Sequence, residues 1–156
     1  MLKLIPYPKR ITEKNEKFPY SAIKIVNLVD DERVNKAAAK LPFHEDGAEL
    51  CINIGNRGGE GYTLKLNNDE IILDAESNVG AFYGIQTLSQ IFENEDIPCL
   101  EIEDAPDFEH RSFFHDITNG QVQTLKTLKE LVDKAAYLKL NSLQLYVEHA
   151  FEYKAI

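Results

Sequence analysis

In the stretch "NSLQLYVEH" (141–149), Leu143, Leu145 and Val147 alternate with Gln144, Tyr146 and Glu148. That two-residue period predicts a strand with one apolar and one polar face. Short runs of the same kind predict strands over 22–27, 50–55, 61–66, 70–75, 98–104 and 112–118. "NNDE" between the third and fourth of these reads as a hairpin turn, and "NRGGEG" (56–61) as a flexible turn between strands. The prolines of "LIPYPKRI" make the opening of the chain extended. Three stretches carry the longer helical period. "DDERVNKAAAKL" (30–41) has acids in its first turn, where the helix dipole favours them. "SNVGAFYGIQTLSQIFEN" (77–94) repeats Val79, Phe82, Ile85, Leu88 and Phe92 on one face, with Ser77 or Asn78 as cap. "TLKTLKELVDKAAYLKL" (124–140) puts Leu125, Leu128, Leu131, Val132, Ala135 and Leu138 on one side behind Thr124 as cap.

The second helix holds Gly80 and Gly84, four apart on one stripe. Each costs about 1 kcal/mol of helix propensity relative to alanine. Close approach to a packed backbone offsets such a cost, so this stripe is expected to lie against a sheet. After residue 104 the pattern changes. "APDFEHR" is a linker, and strand, helix and strand then follow with short links. That is one βαβ unit, with parallel strands and a right-handed crossover. The segment before it reads as mostly hairpin-linked strands with helices. The expected fold is therefore α/β (α+β), a mixed sheet with helices packed on it over 1–103, followed by a second domain over 104–156.

The 156 residues are 44% hydrophobic and 28% charged, which fits a globular protein and argues against disorder. A net charge of −9 disfavours nucleic acid and anionic membrane surfaces as partners. No apolar run reaches the roughly 18 residues of a membrane span. The N-terminus lacks a signal-peptide apolar core, so the expected location is cytoplasmic. Cys51 and Cys99 sit in strand-like runs and are expected to be reduced core thiols.

No metal or cofactor is expected. His44-Glu45 has no second histidine at zinc-protease spacing, and His110 and His115 are five apart in a strand-like segment. "GNRGGEG" lacks the ending of a phosphate loop, and no nucleophile elbow occurs. The βαβ unit is more informative. In a closed parallel barrel each strand turns one face to the helices and the other to the interior. Gln144, Tyr146 and Glu148 then point inward, as does the set Ser112, Phe114, Asp116 and Thr118. Polar residues at the C-terminal ends of such strands are where barrel active sites form. A polar edge of an ordinary α/β domain gives the same pattern.

"LIPYPKRI", "GYTLKLNNDEIILDAESNVGAFYGIQTLSQIF", "IEDAPDFEHRSFFHDI" and "LKLNSLQLY" occur in the order seen in family-20 glycoside hydrolases, the β-N-acetylhexosaminidases. The resemblance runs over most of the chain and is weakest at 28–48. It implies that residues 1–103 form that family's non-catalytic, zincin-like accessory domain, which carries no zinc. Residues 104–156 would then be the first strand, helix and second strand of the catalytic (β/α)8 barrel, which needs eight strands to close. The resemblance also implies a substrate carrying terminal N-acetylhexosamine, attacked by its own 2-acetamido group with help from an adjacent Asp-Glu pair. The resemblance places that pair beyond this region, so the chain alone is expected to be inactive.

The substrate contacts implied are Asp116, Asn119, Tyr146, Glu148 and His149. Four of these stand at two departures from the family. Asn119 occupies the place of an arginine that holds sugar hydroxyls, and lacks its charged fork. "LQLYVEH" replaces a histidine-rich second strand, leaving Tyr146 and Glu148-His149 near those positions. Unpaired barrel strands would promote self-association. The alternative function is a free-standing module that binds a glycan or a protein, with Tyr62, Phe82 and Tyr83 as surface aromatics. Their spacing favours core positions. A zinc-peptidase relic is a weaker third reading, because fold does not carry function.

Overall fold

The computed structural model describes residues 2–25, 27–120 and 122–148. In chain order the elements are β1 (Arg10–Lys17), β2 (Ile23–Ile25), α1 (Glu32–Ala38), β3 (Ala48–Ile54), β4 (Tyr62–Leu66), β5 (Glu70–Ala75), α2 (Asn78–Phe92), β6 (Pro98–Asp104), β7 (Ser112–Asp116), α3 (Leu125–Tyr137) and β8 (Ser142–Tyr146). They fall into two compact units that divide between Asp107 and Phe108.

The first unit is a mixed six-stranded sheet in the order β1-β6-β4-β5-β3-β2. β3 runs parallel to β2 and β5, while β4 and β6 run antiparallel to their neighbours. The β4–β5 hairpin closes through Asn67 N donating to Glu70 O at 3.0 Å. The expectation of mostly hairpin-linked strands is corrected here. β3 pairs with β5 rather than with β4, and β6 returns beside β4 after α2. A further correction is β1. The extended reading covers only the opening 4–11 and no strand is expected before 22–27, but 10–17 is an edge strand paired with β6, with Arg10 opposite Glu103 and Ile11 opposite Ile102.

Alternation in β3, β4 and β5 puts Leu50, Leu64, Leu66, Ile71 and Leu73 in the core, all fully buried. Burying each stabilises the fold by about 1.5–3 kcal/mol. α2 lies over β3, β4 and β5 and also packs on α1. Ser77 caps it, its hydroxyl accepting from Gly80 N and donating to Gly59 O at 2.5 Å. The glycine stripe is the contact line. A Cβ on Gly80 would meet Gly61 O at 2.5 Å, and one on Gly84 would overlap the Leu73 side chain. Tyr62 and Tyr83 are each 5% exposed, so they are core aromatics, and Phe82 packs against that core. Val79, expected on the apolar face, is exposed, because the buried line of α2 runs instead through Gly80, Gly84, Leu88 and Ile91. α1 begins one residue after Asp31, whose carboxylate accepts from Arg33 N and Val34 N. Its Arg33 side-chain bond is the chief reason the Asp31 carboxyl is held well below the usual range.

Both cysteines are free, but only Cys99 is buried; Cys51 is half-exposed. The register places Cys51 opposite Ile72, off the row that holds Leu50 and Ile52. Cys51 therefore lies on the sheet face away from the core, against the expectation of a core thiol.

The second unit is one parallel pair, β7 and β8, joined through α3. Thr124 caps α3, its hydroxyl accepting from Thr127 N at 3.2 Å. No α3 side chain is buried. Leu128, Leu131 and Ala135 are half-buried, whereas Leu125, Val132 and Leu138 are exposed. The six-residue apolar face read from the sequence is thus only half used, because two strands cannot cover it. A side-chain clamp closes the N-terminal ends of the strands. Arg111 N donates to Asn141 Oδ1, Asn141 Nδ2 donates to Glu109 O, and the Arg111 guanidinium donates to Lys139 O and Phe108 O.

Candidate functional site

At the opposite, C-terminal ends of β7 and β8, register sets Phe114 against Gln144 and Asp116 against Tyr146. The side chains of opposed residues leave a sheet on the same face. The two polar sets singled out from alternation therefore share one face. The Phe114 and Tyr146 rings lie on it, 6.0 Å apart and tilted by 38°.

Asp116 closes the turn after β7. Its Oδ1 accepts from Thr118 N at 2.8 Å and from Asn119 N at 3.0 Å, and its Oδ2 accepts from Asn119 Nδ2 at 3.0 Å. The Asn119 backbone N–H is the largest cause, followed by that of Thr118, of a carboxyl held below its ordinary range. Such a group stays ionised at neutral pH and cannot donate a proton; what it does is aim Asn119. The turn is also tied to β8. Ile117 N donates to Tyr146 O at 3.1 Å, and Glu148 N donates to Thr118 Oγ1 at 2.8 Å. The structure thus brings Asp116, Asn119 and Tyr146 together and fixes the backbone of Glu148 beside them. His149 lies outside the described residues.

A second polar site lies in the first unit, a cleft of about 730 Å³ across one end of the six-stranded sheet. It is lined by Arg10, Asn53, Tyr62, Asp74, Glu103 and Asp104, among others. Its acids are braced by the protein itself. Tyr62 OH donates to Asp104 Oδ2 at 2.9 Å, Asn53 Nδ2 donates to Asp74 Oδ1 at 2.8 Å, and Arg10 pairs with Glu103. Burial, and secondly the Asp104 charge, push the Tyr62 hydroxyl well above its usual range. These groups hold the sheet end together. Among the described residues no group of three or more His, Cys, Asp or Glu is arranged to hold a metal.

Sequence reading missed the Arg111–Asn141 clamp and the Asp116–Asn119 bond. Arg111, Asp116 and Asn141 fall in the motif blocks quoted above, but their spacing does not mark these bonds.

The model of glycosyl hydrolase family 20, domain 2, matches residues 1–105. The β-hexosaminidase of Porphyromonas gingivalis is 28% identical over 171 aligned positions, covering 90% of this chain and 22% of that protein. Among solved structures, Flavobacterium johnsoniae chitobiase superposes with a TM-score of 0.76 at 23% identity, over 92% of this chain and 27% of the other. A Streptomyces plicatus β-hexosaminidase in complex with its product GlcNAc superposes at 0.71 and 24%, over 92% and 34%. The chain spans about a fifth of the length of the P. gingivalis relative. The sheet, the helix pressed on it and the match over the first unit agree: the chain belongs to glycosyl hydrolase family 20, through that family's domain 2.

Proposed function

We propose that this chain serves a β-N-acetylhexosaminidase, its first unit as the non-catalytic domain and its second as the opening βαβ segment of a (β/α)8 catalytic barrel. The observation that carries this reading is the parallel β7–β8 pair following directly on the family domain, with Asp116 opposite Tyr146 at the strand ends. The substrate class is a glycan with terminal N-acetylhexosamine, as the β-hexosaminidase relatives and the GlcNAc product complex suggest. Asp116, Asn119, Tyr146, Glu148 and His149 are the proposed rim of its site, with Asp116 positioning Asn119. The Asp-Glu pair that assists the acetamido group would come from later barrel strands. The free thiols of Cys51 and Cys99 fit a reducing, cytoplasmic setting.

The test is to express the reading frame continued past residue 156 and assay it on an aryl N-acetyl-β-glucosaminide. We expect hydrolysis by the longer chain and none by the 156 residues alone. A longer chain without an adjacent Asp-Glu pair past residue 156, or without activity on this substrate, would sink the proposal. In an active longer chain, Tyr146→Phe and Glu148→Gln should each lower kcat/KM by roughly tenfold or more, the worth of a hydrogen bond to substrate.

A further inference from the structure

Asn119 is the one asparagine in the chain followed by glycine. It is exposed, and Gly120 takes a left-handed φ of +84° with no atom of the other described residues, its chain neighbours aside, within 4 Å of where its Cβ would stand. We propose that Asn119-Gly120 is a site of spontaneous deamidation, a covalent ageing step built into the turn after β7.

The chemistry needs only water. The deprotonated Gly120 amide nitrogen attacks Cγ of Asn119 and closes a five-membered imide. The bond from Cγ to Nδ2 breaks, and Nδ2 leaves with the proton as ammonia. Water then opens the ring at one of its two carbonyls. Opening on one side gives aspartate; opening on the other gives isoaspartate, with one extra methylene in the backbone. Side chains normally shield the following N–H from this attack, and at Gly120 there is none. Of the other asparagines, Asn53, Asn67 and Asn141 have a side chain on the following residue, which hinders the same closure. Asparagine is accordingly one of the thermally labile residue types.

The consequence follows from the geometry of the turn. Asn119 Nδ2 is a donor 3.0 Å from Asp116 Oδ2. Conversion replaces it with an anionic oxygen facing a carboxylate that already carries a charge. One bond of the turn is lost and a like-charge contact takes its place. Thr118, held by Asp116 on one side and bonded to Glu148 N on the other, is the next residue affected. If Asn119 also contacts substrate as proposed above, ageing would alter that site, but the reaction itself does not depend on that role.

The experiment is to age the native chain in warm, mildly alkaline buffer and follow the tryptic peptide 112–126, SFFHDITNGQVQTLK, in which Asn119 is the only asparagine. We expect a gain of about one mass unit in this peptide before any other, resolved into two species, and faster at higher pH. The urea-unfolded chain supplies the reference rate. A native chain whose 112–126 peptide stays unmodified while the unfolded chain converts would overturn the proposal, as would conversion led by another asparagine. Asn119→Gln should abolish the early gain. Asn119→Asp mimics one product, and its Thr118 and Glu148 amides should exchange hydrogen faster than in the native chain. Unchanged exchange would overturn the claim that conversion loosens the turn.

Discussion

Asp116 shows how a single carboxylate can be legible as important while the bonds it makes are not. Alternation put it on the polar face, and the resemblance made it a substrate contact. In the structure both its oxygens are engaged with Thr118 and Asn119. Its carboxyl is held below the ordinary 3.8, with the Asn119 backbone N–H as first cause. For a group with a depressed folded value, the stabilisation is present above the unfolded value and is lost as pH falls through the folded one. A carbon-detected NMR titration should therefore give Asp116 a midpoint below 3.8. Asn119→Ala should raise that midpoint without restoring it fully, because two backbone donors remain. A midpoint at or above the ordinary value in the native chain would show that the turn is not closed by Asp116. Gly80 illustrates the opposite case, a residue whose role was readable from spacing alone. Alanine there gains helix propensity of about 1 kcal/mol. Its Cβ would stand 2.5 Å from Gly61 O, a backbone atom that can move only with its loop. Overpacking of that kind costs about 1–3 kcal/mol. Gly80→Ala should consequently lower the denaturant midpoint of the first unit, and an unchanged or higher midpoint would show that the helix lies further from the sheet.

Legibility at the scale of elements followed burial. β4, β5, α2 and β6 were readable because each turns a regular apolar set to one core, as Leu64, Leu73, Leu88 and Ile102 record. β1 was not readable. "RITEKNEK" is exposed at nearly every position, and only Ile11 is half-buried. What makes it a strand is the exposed ladder of β6, a partner some 90 residues away in sequence. Strand order was hidden for a related reason. Local turn chemistry predicts hairpins, but the parallel pairing of β3 with β5 is decided by a crossover that no dipeptide marks. At the candidate site the strand faces were readable from period two, while the turn hydrogen bonds and the clamp at the far end were not, since side-chain to backbone bonds leave no period. That clamp makes its own prediction. Asn141→Ala removes the acceptor for Arg111 N and the donor to Glu109 O. At about 1 kcal/mol for each bond, hydrogen exchange across β7 and β8 should accelerate by roughly tenfold or more. The amides of β3 to β5 should not change. Equal acceleration in both units would mean that the effect is global and that the clamp is not local to the second unit.

The two units differ in how they treat their sheet edges, and this bears on the behaviour of the whole chain. The first unit blunts both of its edges. β1 carries Arg10, Lys14 and Lys17 among its exposed residues and is bulged between Glu13 and Lys17, and β2 is only three residues long. Such features oppose edge-to-edge pairing. The second unit has no equivalent. Among the described residues, β7 and β8 pair only with each other. Phe113, Phe114, Leu145 and Val147 are exposed on or beside them, and so are Leu125 and Val132 of α3. Exposed apolar surface beside open strand edges favours association. The net charge of −9 opposes it at long range, and salt screens that repulsion. The 156-residue chain in isolation should therefore exceed monomer mass by light scattering, and more so as salt is raised. The double substitution Leu145→Lys and Val147→Lys places charge on and just beyond the β8 edge and should shift the mass toward monomer. A native chain that stays monomeric at high salt, with β7 and β8 amides protected from exchange, would show that these edges are not adhesive. The same substitutions in the continued reading frame separate the two causes of an open edge. If later strands of a barrel normally cover β8, the charges should destabilise the longer protein strongly. If nothing covers it there, the longer protein should tolerate them.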